Sequence, residues 1–183
     1  ATARLYTDIG YMSNDEALAD DASDLFNFLT GYSRQETFRK FLVAPVSIRP
    51  RLLEYIRRET ALGPEGRIII KCNSLVDGEC IRHLYKASQA GVKVDLIVRG
   101  ICGLRPGIKG ISDNIQVVSI VGRFLEHSRI YYFHNGGDPA LFMGSADLMP
   151  RNLDRRVEVL FPIESPAMQK HILENILAVC LRD

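Results

Sequence analysis

Three short stretches carry side chains able to grip or move phosphoryl oxygens. The first is His127-Ser128-Arg129. Alternate positions of an extended chain turn its imidazole and guanidinium to one side. Such a pair can exchange a proton with one phosphate oxygen while the arginine holds another. A surface histidine is the plainer reading of the same residues. The second is Arg99-Gly100, directly after the strand read at 92–98, which is rich in Val, Leu and Ile. A cation delivered by a buried strand suits an anion, and equally suits a salt bridge at a loop mouth. The third is Gly144-Ser145-Ala146-Asp147, leading to Asn152, Arg155, Arg156 and Glu158. Its small residues can offer N–H groups and a hydroxyl to phosphate, or form a plain turn with solvated charges. The combination outweighs its members, because strand ends deliver all three and one sheet edge can gather them. His83, His134 and His171 have no comparable setting and read as structural or exposed. There is no P-loop, dinucleotide fingerprint or kinase-type loop set, so a nucleotide here would be held by Arg and His.

The elements that must position these residues follow from periodicity and punctuation. Residues 2–9 alternate as a strand. Ser13-Asn14-Asp15-Glu16 reads as a capping box opening an amphipathic helix. In that helix Leu18, Ala22, Leu25 and Leu29 share a face, Asp20, Asp21 and Asp24 turn outward, and Gly31 ends it. The polar stretch 33–36 reads as a boundary. A β-α-β-α-β pattern follows. Strand 41–44 leads to a helix with Pro50 in its first turn, carrying Leu52, Leu53 and Ile56 and closed by Gly63-Pro64. Strand 67–72 leads to a helix capped by Asp77, burying Ile81, Leu84 and Tyr85 and ending at Gly91. Strand 92–98 is apolar enough to be covered on both faces. This alternation predicts right-handed crossovers and a largely parallel sheet. Short strands at 115–121, 130–133, 141–143 and 157–161 then follow with almost no helix between them. Asn135-Gly136-Gly137-Asp138 joins two of them as a hairpin. Ser165-Pro166 opens a last helix with Ile172, Leu173, Ile176 and Leu177 inward.

At 183 residues, 46% hydrophobic and 25% charged, the chain can bury one compact core with an extra segment to spare. No apolar run reaches the roughly 18 residues of a membrane span, and the start lacks a signal-peptide pattern. It opens on Ala1, which fits a piece of something longer. Cys72, Cys80, Cys102 and Cys180 show no metal spacing and read as buried thiols of a reducing compartment. A net charge of +1 gives no pull toward nucleic acid. Its distribution says more. Residues 1–33 hold one Arg against six carboxylates, and residues 99–156 hold seven Arg and one Lys against five. Arginine in such excess over lysine favours two-point grip on oxyanions.

His127-x-Arg129 followed by Gly144-Ser145 is similar to the His-x-Lys and Gly-Ser motifs of phospholipase D-like folds. Longer strings narrow the resemblance. Residues 2–8 (TARLYTD), 98–102 (VRGIC), 119–129 (SIVGRFLEHSR), 144–147 (GSAD) and 149–159 (MPRNLDRRVEV) together resemble the polyphosphate kinase family over essentially the whole chain. Two departures from the wider phospholipase D pattern, Arg129 for its Lys and His134 for its Asp, disfavour phosphodiester hydrolysis and fit the kinase branch.

The resemblance implies an α/β, phospholipase D-like mixed sheet flanked by helices, preceded by a strand-helix segment. Residues 1–33 would be the tail of a first such domain and residues 37–183 the second. It implies reversible phosphate transfer from ATP to polyphosphate through a phosphohistidine that lies, like most magnesium ligands, upstream of this chain. By position in the motifs, Tyr6 would stack on the base, Arg99 hold phosphate oxygens, and His127 face the phosphates as candidate general acid. Arg129, Ser145, Asn152 and Arg155 are further phosphate-gripping candidates, and no metal ligand is assigned. The implied partners are ATP or ADP, polyphosphate, the upstream domains and further copies in a homo-oligomer, with no nucleic acid. The implied location is cytoplasmic, with membrane association open for the whole enzyme. Two other classes stand beside this one: a non-catalytic nucleotide- or polyanion-binding module, and a phospholipase D-type phosphodiesterase.

Overall fold

The computed structural model of the chain describes residues 2–32 and 37–182. The boundary read at 33–36 lies outside them. The described residues form nine strands, β1 (Tyr6–Thr7), β2 (Leu42–Ala44), β3 (Arg67–Cys72), β4 (Lys93–Val98), β5 (Ile115–Val118), β6 (Leu125–Glu126), β7 (Arg129–Phe133), β8 (Ala140–Gly144) and β9 (Glu158–Pro162). The principal helices are α1 (Glu16–Leu29), α2 (Ile48–Leu62), α3 (Gly78–Gln89), α4 (Pro150–Arg155) and α5 (Pro166–Ile172), the last running on through a π turn at Leu173–Leu177.

Seven strands make one mixed sheet in the order β2-β9-β8-β7-β3-β4-β5, while β1 and β6 form a separate parallel ribbon. Only β3, β4 and β5 run parallel, and every other pair in the large sheet is antiparallel. The expectation of a largely parallel sheet therefore holds only for the edge formed by β3, β4 and β5. β2 does not lie beside β3. It crosses to the far edge and pairs antiparallel with β9, because the hairpin strands β7 and β8 and then β9 fill the intervening places.

Side-chain alternation on β3 divides the core. Ile68, Ile70 and Cys72 pack with Leu52, Leu53 and Ile56 of α2 and Leu84 of α3. Ile69 packs on the opposite face with Ile97, Ile130, Tyr132, Met143 and the last helix's Ile172 and Leu177. Helices thus cover both faces, as period-2 strands with two apolar sides require. Asp77 caps α3 by accepting from Cys80 N–H, and Ser165 caps α5 by accepting from Met168 N–H.

Four local expectations are corrected. Residues 2–9 are not a continuous strand: Thr2–Leu5 is a 3-10 turn and only Tyr6–Thr7 pairs, since Arg4, Leu5 and Tyr6 have no buried side to alternate against. The N-cap of α1 is Asp15, which accepts from Leu18 N–H at 3.0 Å, whereas Ser13 accepts only from Asp15 N–H. A carboxylate at that position also meets the positive helix end. Asp21 points inward and is fully buried, the one buried residue of α1. It accepts from three successive backbone N–H groups, Arg39, Lys40 and Phe41, at 2.6–2.8 Å. Finally, α4 interrupts the strands of the second half. Pro150 pre-sets its first turn, but six residues carry too little apolar period to announce it. Of the four thiols, Cys72 and Cys80 are buried, and Cys102 and Cys180 only partly so.

Candidate functional site

The register explains why distant residues share a rim. β3 and β4 run parallel, so Asn73 and Arg99 leave the sheet at the same end. β7 runs opposite to β3 with Lys71 facing Ile130, so its first residue, Arg129, starts at that end too. β8 returns to it, placing Gly144 against Arg129, and β9 departs from it with Leu160 against Gly144. The ribbon of β1 and β6 then brings Tyr6, Asp8 and His127 to the same rim, with His127 N–H donating to Thr7 O at 2.9 Å.

Tyr6 is the meeting point. The Arg99 guanidinium lies 5.8 Å from the centre of its ring, and the His127 imidazole meets it edge-on at 4.9 Å. Both contacts are favourable, the first through the ring's negative face. His127 Nδ1 is 3.0 Å from Asp8 Oδ2. Arg129 Nη1 sits 3.2 and 3.3 Å from the two ring nitrogens and donates to His127 O at 3.0 Å. Beside this cluster opens a cavity of about 400 Å³, lined among others by Asp8, His127, Arg129, Gly144 and Ser145. Tyr6 and Arg99 border the cluster without lining that cavity.

Arg129 is not a free cation. Its Nε and Nη2 donate to the two oxygens of buried Asp147 at 3.3 and 3.0 Å. Asp147 also accepts from Asn73 N–H at 2.7 Å and from the Asn73 side-chain amide at 3.3 Å. Gly144 ends β8 rather than opening a phosphate cradle: a Cβ there would lie 1.9 Å from Val159 O, so the close approach of β9 demands glycine. Ser145 N–H donates to Val159 O, and its Oγ accepts from Val159 N–H. The serine hydroxyl proton stays uncommitted among the described residues. Asn152 is buried and donates to Glu158, which also pairs with Arg156 at 3.1 Å. Arg155 is exposed on α4. Neither Asn152 nor Arg155 lines the cavity. Lys71 escapes a reading by motif because one lysine within a strand carries no spacing signal. Asp147 stands in the 144–147 motif and Asp8 in the 2–8 string, with nothing in either to show that they hold Arg129 and His127.

Residues 41–183 match the family described as polyphosphate kinase C-terminal domain 2. The chain belongs to the polyphosphate kinase family. The polyphosphate kinase of Synechocystis sp. is 55% identical over 185 residues, spanning 100% of this chain and 25% of that protein. That of Thermosynechococcus vestitus is 57% identical over 178 residues, 96% of this chain and 24% of that one. Among solved structures, the polyphosphate kinase of Porphyromonas gingivalis superposes with a TM-score of 0.89 at 40% identity, over 94% of this chain and 27% of that one. The chain thus spans about a quarter of the length of these polyphosphate kinases. Nuc from Salmonella typhimurium, a phospholipase D family member, and NucT from Helicobacter pylori superpose at TM-scores of 0.52 with 15% and 14% identity. They share the fold alone, a phospholipase D-like mixed sheet flanked by helices. No helix among the described residues is long and apolar enough to cross a membrane.

Proposed function

We propose that this chain is the carboxy-terminal part of a polyphosphate kinase, reversibly moving the terminal phosphate of ATP to polyphosphate through a phosphohistidine upstream. In this reading residues 1–33 close a first phospholipase D-like domain and residues 37–183 form the second. The whole enzyme is cytoplasmic and homo-oligomeric. The observation that carries the reading is at Arg99. Its Nη1 is buried and has no hydrogen-bond partner among the described residues, beside an aromatic ring that it shares with His127. An unsatisfied buried donor costs about 1–3 kcal/mol, and a phosphate oxygen is the acceptor that removes the deficit.

Phosphoryl transfer asks a protein for position and charge neutralisation more than for covalent work. Tyr6, 44% exposed, offers a ring face to a base. Arg99 holds phosphate oxygens, and the Ser145 hydroxyl can donate to another. With His127 Nδ1 donating to Asp8, Nε2 is the ring atom that exchanges a proton with a phosphate oxygen. Arg129 supports that ring while held by Asp147. Arg155, exposed on α4, would reach phosphate only where a longer polyanion passes that helix. Buried Asn152 would act from beneath it by holding Glu158, the partner of Arg156.

Magnesium accompanies ATP, but the carboxylates here do not fit it. Asp8 is engaged by His127, Glu126 by Lys71 and Thr7, and Asp147 by Arg129 and Asn73. Among the described residues no group of three His, Cys, Asp or Glu side chains is arranged to hold a metal. In this reading the ion's ligands belong to the upstream domain.

Nucleotide titration of the whole enzyme tests the reading. Arg99→Ala removes charge-assisted bonds worth about 1.5–3 kcal/mol and should weaken ATP binding roughly ten- to hundredfold. Unchanged affinity overturns it. His127→Ala separates catalysis from mere binding, since a large loss of turnover with ATP still bound marks a catalytic group. The 183-residue chain by itself should make no polyphosphate from ATP, and synthesis by it would refute the assigned division of labour.

A further inference from the structure

Lys71 breaks the pattern of its strand. On the face of β3 that carries Ile69, and directly opposite Ile97 and Ile130, an apolar residue would bury cleanly. Instead an ammonium lies there on a side chain 3% exposed. Lysine is almost never so buried without partners. Those partners are specific. Nζ donates to Ser128 Oγ at 2.8 Å and lies 3.4 Å from Ser128 O and 3.3 Å from Glu126 Oε2. These are the two residues on either side of His127. Glu126 in turn accepts from Thr7 Oγ1 at 3.2 Å, tying in the strand that carries Tyr6.

The ribbon needs such a tie. β1 and β6 have two residues each, and Leu5, Tyr6, Phe124 and Leu125 are all exposed, so apolar packing holds it weakly. We infer that Lys71 is a positioning residue for the nucleotide site: its buried ammonium clamps Glu126 and Ser128 and thereby sets the His127 ring against Tyr6 and Asp8. An ammonium buried between Ile97 and Ile130, breaking the local rule beside a site, is the mark of a functional constraint. Lys71 does not touch the ring itself. It acts through the residues on either side.

The inference rests on the nucleotide reading above, and its test keeps the two apart. Lys71→Met retains length and loses the charge. Hydrogen exchange at the His127 amide should speed up at least about tenfold, while the amides of β4 and β8 keep their protection. The ring-to-ring NMR contact between Tyr6 and His127 should disappear, and ATP should bind roughly tenfold more weakly in the whole enzyme. A merely structural lysine would loosen the sheet as a whole and leave the His127 amide no worse than its neighbours. Unaltered His127 exchange with the ring contact retained overturns the proposal. Should the Met variant fail to fold, Ser128→Ala removes only the 2.8 Å partner and must reproduce the local loosening. If the amide loosens as expected but the unaltered enzyme binds no ATP, the positioning stands and the nucleotide reading falls.

Discussion

Removing the Asp147 carboxylate should produce the largest single loss of stability at the rim. Its side chain is 9% exposed and that of Arg129 12%, so water screens their contact poorly. Asp147→Ala deletes both acceptors of the guanidinium fork and the acceptor of Asn73 N–H at 2.7 Å. It leaves Arg129 with the His127 carbonyl and ring alone. Breaking a buried pair from one side costs about 3–5 kcal/mol, a figure that already contains much of the orphaned-donor penalty. With a urea m-value of roughly 2 kcal/mol/M, the unfolding midpoint should fall by about 2 M. The chain has no Trp, so far-UV circular dichroism is the probe. The double variant Arg129→Met with Asp147→Leu should recover part of the loss, because a well-packed apolar pair can replace a buried ionic one. A midpoint shift below about 0.5 M for Asp147→Ala would show that the carboxylate is not the counter-charge described.

Gly144→Ala drives a methyl to 1.9 Å from Val159 O, against backbone that cannot step aside, so a destabilisation of about 3 kcal/mol or more is expected. Soluble yield and the melting midpoint report it. Acid sensitivity should centre on Asp21. Burial alone raises its pKa, but the N–H groups of Lys40, Phe41 and Arg39 outweigh that and hold the folded value below the usual carboxylate range. Its contribution is thus complete above the unfolded value of about 4 and is lost as pH falls through the folded one. Asp21→Asn should flatten the dependence of the melting midpoint on pH below about 4, and an unchanged slope would discount the three-donor contact.

Much of the fold could be read in advance because period and punctuation were strong where packing was two-sided. β3, α3 and β4, with Asp77 at one helix start and Gly91 after the helix end, follow from local chemistry alone. The path of β2 could not be read that way, since strand order depends on which partner fills each edge. The burial of Asp21 is hidden for a related reason. Helical periodicity turns it outward among other acids, and only the turn at Arg39–Phe41 gives it a reason to be buried. At the rim, Arg99 and His127 announce themselves by residue type and strand end. The engagement of Arg129 by Asp147, and of Ser145 by Val159, is a property of register, which no spacing within one strand reveals.

The hairpin between β7 and β8 has an experimental use. Both strands span the sheet, so the turn Asn135–Gly137 stands at the end away from Tyr6, Arg99 and His127. Gly136 and Gly137 have open space around them, and the positive φ of each already suits a chain that leaves the surface. A fluorescent reporter or short epitope grafted between these two glycines would leave the opposite rim chemically untouched. Changes in nucleotide handling seen with such a graft in place could then be assigned to the residues under study rather than to the label.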